Sequence, residues 1–127
     1  VEKSRKAADA SNLENLVTAF KTAASDGNDQ IPAGEYTFTI NNEAVKGGTA
    51  TTLVCKPTDQ TQPVDKIEGI IESYVGKNWK DTKLKSKKWE DANKKTMTKI
   101  SATLKVENDG SVKVTYDPTT IKDQTNQ

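Results

Sequence analysis

Leu13-Glu14-Asn15-Leu16-Val17-Thr18-Ala19-Phe20 is the stretch on which the fold turns. Leu13, Leu16, Val17 and Phe20 recur at i, i+3, i+4 and i+7, and Ala24 continues the series, so these side chains share one side of an α-helix. Outward from that core, Val1 to Ala24 contains no Gly or Pro. It is rich in Ala, Lys, Glu and Leu, which lose little backbone or rotamer freedom in a helix. Glu2, Lys3, Lys6, Asp9, Glu14 and Lys21 fall largely off the stripe, and around Ser4 to Ala10 the apolar residues are alanines and Val1. The second half of the helix is expected to dock on a sheet through Leu13, Leu16, Val17 and Phe20. The first half is expected to protrude or to meet another chain. Ser25-Asp26-Gly27-Asn28 ends the helix, with Gly27 suited to the left-handed C-terminal position.

The rest of the chain supplies the sheet. Tyr36, Phe38 and Ile40 alternate with Glu35, Thr37 and Thr39, the period of a strand with one buried face. Thr49 to Lys56 is β-prone and Pro57 stops it, so the first strands occupy 35–56. A short helix over 63–76 follows, with Pro63 in its first turn, Ile67, Ile70, Ile71, Tyr74 and Val75 on one face, and Gly76 closing it. Residues 97–117 read as a hairpin. A two-residue turn at Asp109-Gly110 would set Val106 opposite Lys113, one facing in and the other out. A three-residue turn pairs Val106 with Val112, Leu104 with Val114 and Ala102 with Tyr116, and cross-strand partners share a face, so the odd-length loop is expected. Gly110 would then be left-handed. The tail to Gln127 reads as polar coil. The fold class is therefore α+β: a long N-terminal helix on an antiparallel sheet, with a small second helix, in one domain spanning 1–127.

Composition narrows the function. With 127 residues, 32% apolar and 29% charged, and a mean hydropathy of −0.80, the chain can build one modest core. A net charge of +1 provides no global field toward nucleic acid or membrane. Cys55 is the single cysteine, which excludes an internal bridge, and with no histidine in the chain it reads as a small half-buried apolar residue. Asp26, Asn28 and Asp29 around Gly27 miss the spacing of a calcium loop and read as helix termination. Gly47-Gly48 lacks phosphate-loop spacing, and no nucleophile elbow is present. No catalytic residue, metal or cofactor is expected, and nucleic acid is not an expected partner. No segment reaches the ~20 apolar residues of a membrane span. The chain opens at Val1 inside a helix without a cap, which reads as a trimmed fragment.

Residues 77–95 show no dominant period. Eight lysines surround two tryptophans there. Lys77, Trp79, Lys80, Lys83, Lys87, Lys88 and Trp89 are candidates for a polyanion-binding or interface patch, because dispersed cations suit phosphates and exposed rings stack on bases. The favoured reading is a solvated face whose two tryptophans cover the small core.

The stretch Val1-Glu2-Lys3-Ser4-Arg5-Lys6-Ala7-Ala8-Asp9-Ala10-Ser11-Asn12-Leu13-Glu14-Asn15-Leu16 resembles the exposed half of the first helix of type IV pilins. In that family the helix continues N-terminally as an apolar segment, which anchors the subunit in the membrane before assembly and packs in the filament core afterwards. Its C-terminal half docks on the antiparallel sheet of a globular head. The resemblance covers the first helix in sequence and most of the chain in the order of its elements. The family's processed N-terminus, nearby glutamate and apolar half-helix would lie upstream of Val1. The C-terminal disulfide of many Gram-negative pilins has no counterpart, since Cys55 stands alone, and the chain looks like a Gram-positive pilin. The resemblance implies an extracellular structural subunit whose partners are copies of itself in a helical filament at the cell surface, serving adhesion, biofilm formation or twitching motility. It touches the membrane only through the missing segment. Glu2, Lys3, Arg5 and Lys6 are the candidate inter-subunit contacts. The alternatives are a pseudopilin of a type II-like secretion system, and a free extracellular domain that holds an anionic polymer through its lysine-tryptophan region.

Overall fold

A computed structural model describes residues 2–25, 31–44, 48–58, 64–86, 89–90, 93–109, 111–117 and 121, with the backbone alone for residues 2, 3 and 64–66. Helix α1 runs from Glu2 to Ser25 and buries Leu13, Leu16, Val17 and Phe20, the side chains picked out by the apolar period. They pack on one face of a four-stranded antiparallel sheet ordered β2-β1-β3-β4, made of β1 (Gly34–Asn41), β2 (Thr51–Pro57), β3 (Lys99–Val106) and β4 (Val112–Asp117). The α+β architecture is thus the observed one. The inner face is built from Tyr36, Phe38 and Ile40 of β1 and Ile100, Ala102, Leu104 and Val106 of β3, all buried. Each is worth ~1.5–3 kcal/mol of burial if large and apolar. Phe20 sits between two rings of β1, 5.0 Å from Tyr36 and 6.0 Å from Phe38, and Trp79 meets Phe38 edge-on at 6.0 Å. Such tilted and edge-on contacts are favoured by the ring quadrupole.

The hairpin register is the face-matched one: Val106 pairs with Val112, Leu104 with Val114 and Ala102 with Tyr116. Glu107 N–H donates to the Ser111 carbonyl (2.9 Å), which leaves three residues in the loop, while Gly110 lies outside the described residues. Asp109 accepts from the Ser111 amide and hydroxyl, and these bonds hold its carboxyl below the usual carboxylate range. Because β4 is an edge strand, Val112, Val114 and Tyr116 are only half-buried. The Tyr116 hydroxyl donates to Glu14 of α1, which ties that edge to the helix.

Several boundaries differ from expectation. Strand β2 starts at Thr51, and the Ala50 carbonyl just before it accepts from the backbone N–H and the side-chain amide of Asn41, the last residue of β1. Pro57 is the last residue of the strand and does not stop it before entry, which an edge strand permits. Helix α2 spans Val64–Val75; Pro63, like Gly27, lies outside the described residues. Gly76 closes α2 with φ +96° and donates to the Glu72 carbonyl. Ile67 and Ile71 are buried, whereas Ile70 and Val75 are half-buried and Tyr74 is 40% exposed, so the apolar face is narrower than the five-residue series implied. The tail is not all polar coil: Ile121 is fully buried in the main core.

Candidate functional site

The first half of α1 departs most from expectation. Asp9, read as part of the polar side, is fully buried, as is Ala10. It lies four residues before Leu13, in line with the apolar stripe, and the segment after α2 folds over it. Asp9 Oδ1 accepts from the Lys85 backbone N–H (2.7 Å); Oδ2 accepts from the Ser86 N–H (2.8 Å) and the Trp89 indole Nε1–H (3.0 Å). Three donors aimed at one carboxylate supply what a buried charge requires. One turn earlier, the Lys6 ammonium lies 5.4 Å from the Trp89 ring centroid, a cation–π contact that keeps positive charge near the carboxylate.

The same segment is pinned to the sheet strands β1 and β2 and to the stretch that leads into β3. Thr51 Oγ1 donates to the Thr82 carbonyl (2.7 Å), Leu84 N–H donates to the Asn41 carbonyl (2.9 Å), and Met97 N–H donates to the Trp89 carbonyl (2.7 Å). The described residues of 77–95 therefore have an order that no period announced: a 3-10 turn at Trp79–Asp81, an antiparallel bridge from Glu90 to Thr96, and side chains anchored individually.

This bears directly on the lysine-tryptophan patch. Trp79 is 6% exposed and Trp89 is 1% exposed, so neither offers a face for stacking on a base, and that use of the two rings is corrected to core packing. Lys80 pairs with Glu68 and lies 5.6 Å from the Trp79 centroid. Lys77 and Lys83 are exposed, while Lys87 and Lys88 lie outside the described residues. Of the candidate contact residues, Arg5 is exposed and Lys6 is half-buried and engaged by Trp89; only the backbone of Glu2 and Lys3 is described.

Chemically, this arrangement secures polypeptide. The Asp9 oxygens are occupied by donors of the chain itself, which leaves them unsuited to act as a base on a substrate. Cys55 is half-buried on β2 opposite Tyr36, and burial pushes its thiol up to about 11, away from nucleophilic use. Burial, with a smaller effect from Cys55, pushes the Tyr36 phenol up to about 12, and its hydroxyl donates to the Pro32 carbonyl (2.5 Å). Among the described residues no group of three or more His, Cys, Asp and Glu could hold a metal ion. No described helix is long and apolar enough to cross a membrane.

A second feature adjoins α1. Two adjoining hollows, of about 420 Å³ and 150 Å³, run between α1 and the end of α2 and share Asn15 and Val75 in their walls. No family model, curated protein or solved structure matches this chain.

Proposed function

We propose that the chain is the head domain of a type IV pilin, a subunit that works by assembling into an extracellular filament. The observation that supports this reading best is the seating of α1 along one face of a four-stranded antiparallel sheet through Leu13, Leu16, Val17 and Phe20. A helix fastened in this way cannot peel from its head without exposing these side chains at ~1.5–3 kcal/mol each. The carboxylate of Asp9 extends the fastening toward the start of the helix, across sequence separations of 76 to 80 residues. Tyr116 and Glu14 join the last strand to the same helix. Helix and head then transmit load as one body, which a filament subunit needs. Head-to-tail contacts between such bodies generate an open helical polymer. Arg5, with Glu2 and Lys3, is the surface proposed for those contacts.

The test is to follow the intact gene product in its own host with antibodies raised against this chain. Labelled filaments at the cell surface are expected, and they should vanish when the coding sequence upstream of Val1 is deleted. Dispersed single subunits in the medium, from cells carrying the intact gene, would refute the reading.

A further inference from the structure

The described residues that line the groove between α1 and α2 are all uncharged, in a chain of which 29% is charged. Asn15, Thr18, Ala19, Thr22, Tyr74 and Val75 line its wide part. Its narrow end adds Asn12, Leu16, Trp79 and Thr82 to Asn15 and Val75. Among the described residues no Lys, Arg, Asp or Glu lines either part, so these walls offer no charged partner to a phosphate, a carboxylate or an ammonium group. Among the described residues, no hydrogen bond to the rest of the chain engages the side-chain amides of Asn12 and Asn15 or the Thr18 hydroxyl. Each amide offers two donors and an acceptor oxygen with two lone pairs. Tyr74 is 40% exposed and lines the wide part together with the half-buried, apolar Val75.

We infer that this groove binds a short neutral oligosaccharide. Sugars present adjacent hydroxyls that both donate and accept, which side-chain amides answer on both counts. They also present apolar C–H faces, which an exposed aromatic ring covers. A few polar groups of fixed position against an apolar wall is the general pattern of a small-molecule site. The 150 Å³ end, lined in part by Trp79, suits one ring, and the 420 Å³ shelf suits its neighbours along the chain. A helix from a second copy is a poorer occupant. Grooves take helices through apolar anchors at i, i+3, i+4 and i+7. Among the described residues the large apolar side chains left exposed are Val54, on a strand, and Tyr74, in the groove itself.

The experiment is a nitrogen-15 NMR titration of the full 127-residue chain with maltotriose and, separately, triacetylchitotriose, each to about 10 mM, which exceeds a Kd of about 1 mM tenfold. Shifts are expected at the Asn12 and Asn15 side-chain amides, the Thr18 backbone and the Trp79 indole, with at least one of the two sugars. Asn15→Ala and Tyr74→Ala, both at exposed helix positions that leave the core intact, should each weaken binding by about tenfold or more. Absence of shifts with both sugars, shifts confined to other surfaces, or unchanged binding by both variants would overturn the site. So would groove shifts that grow with protein concentration alone, which would assign the surface to a second copy. The measurement is made on the chain in solution, so its result is independent of whether the chain forms filaments.

Discussion

In Asp9→Ala, three donors lose their acceptor at once: the backbone N–H groups of Lys85 and Ser86 and the indole N–H of Trp89. A buried donor left unsatisfied costs ~1–3 kcal/mol. Ser86 and Trp89 are buried at 2% and 1% exposure, while Lys85 is exposed enough for water to replace the carboxylate at its N–H. Two dry donors and one wet one set the loss at ~3–5 kcal/mol, the range of a broken buried polar network. Alanine returns ~0.5 kcal/mol through its better helix propensity. Against the ~5–15 kcal/mol of a typical domain, this runs from about a sixth to most of the total. In Asp9→Asn the side chain keeps its shape but turns an N–H₂ group toward one set of donors, so about half of the loss is expected. The assay is urea unfolding followed both by circular dichroism and by tryptophan emission. Hydrogen exchange at Lys85 and Ser86 should accelerate in the alanine variant well beyond the change at β1 and β3. A loss below about 0.5 kcal/mol, the size of an ordinary surface substitution, would refute the reasoning and mean that Asp9 is solvated.

Three further outcomes follow from the packing and the titrating groups. A Cβ at Gly34 would stand 2.5 Å from the Pro57 Cα and 2.6 Å from the Lys56 carbonyl oxygen, at φ +155°; Gly34→Ala should cost ~2–3 kcal/mol in a thermal melt, through backbone that must shift. Phe20→Ala removes the ring between Tyr36 and Phe38 and should cost ~3–5 kcal/mol by urea titration. With its thiol pushed to about 11, Cys55 should react with a disulfide reagent at pH 8 about a hundred times more slowly, on the order of its lower thiolate fraction, than in urea-unfolded chain. The same burial makes stability fall at alkaline pH. Below about pH 9 both groups are neutral whether folded or unfolded. Above it the unfolded chain releases its protons first, so stability is lost as pH rises from 9 through about 11 for Cys55 and from 10 through about 12 for Tyr36. Melting temperature against pH, with Cys55→Ser as comparison, checks the sign.

What the sequence determined by itself was the side of each element that faces in. The 3.6 period placed Leu13, Leu16, Val17 and Phe20 together, the period of two did so for Tyr36, Phe38 and Ile40, and the requirement that paired residues share a face selected the hairpin register. These are local properties, because a helix or strand orients its side chains by its own geometry. The sequence also signals Asp9: it sits on the same stripe four residues before Leu13, where an acid is out of place unless something covers it. Only the tertiary structure decided what covers it. The donors arrive from 76 to 80 residues away, on a segment with no period to read. The same holds for the burial of Trp79 and Trp89, for the central position of β1 between β2 and β3, and for the groove that α2 makes with α1. Each arises where separate elements meet, and the free energy of such a meeting resides in the complementarity of two surfaces, which neither stretch of sequence contains alone.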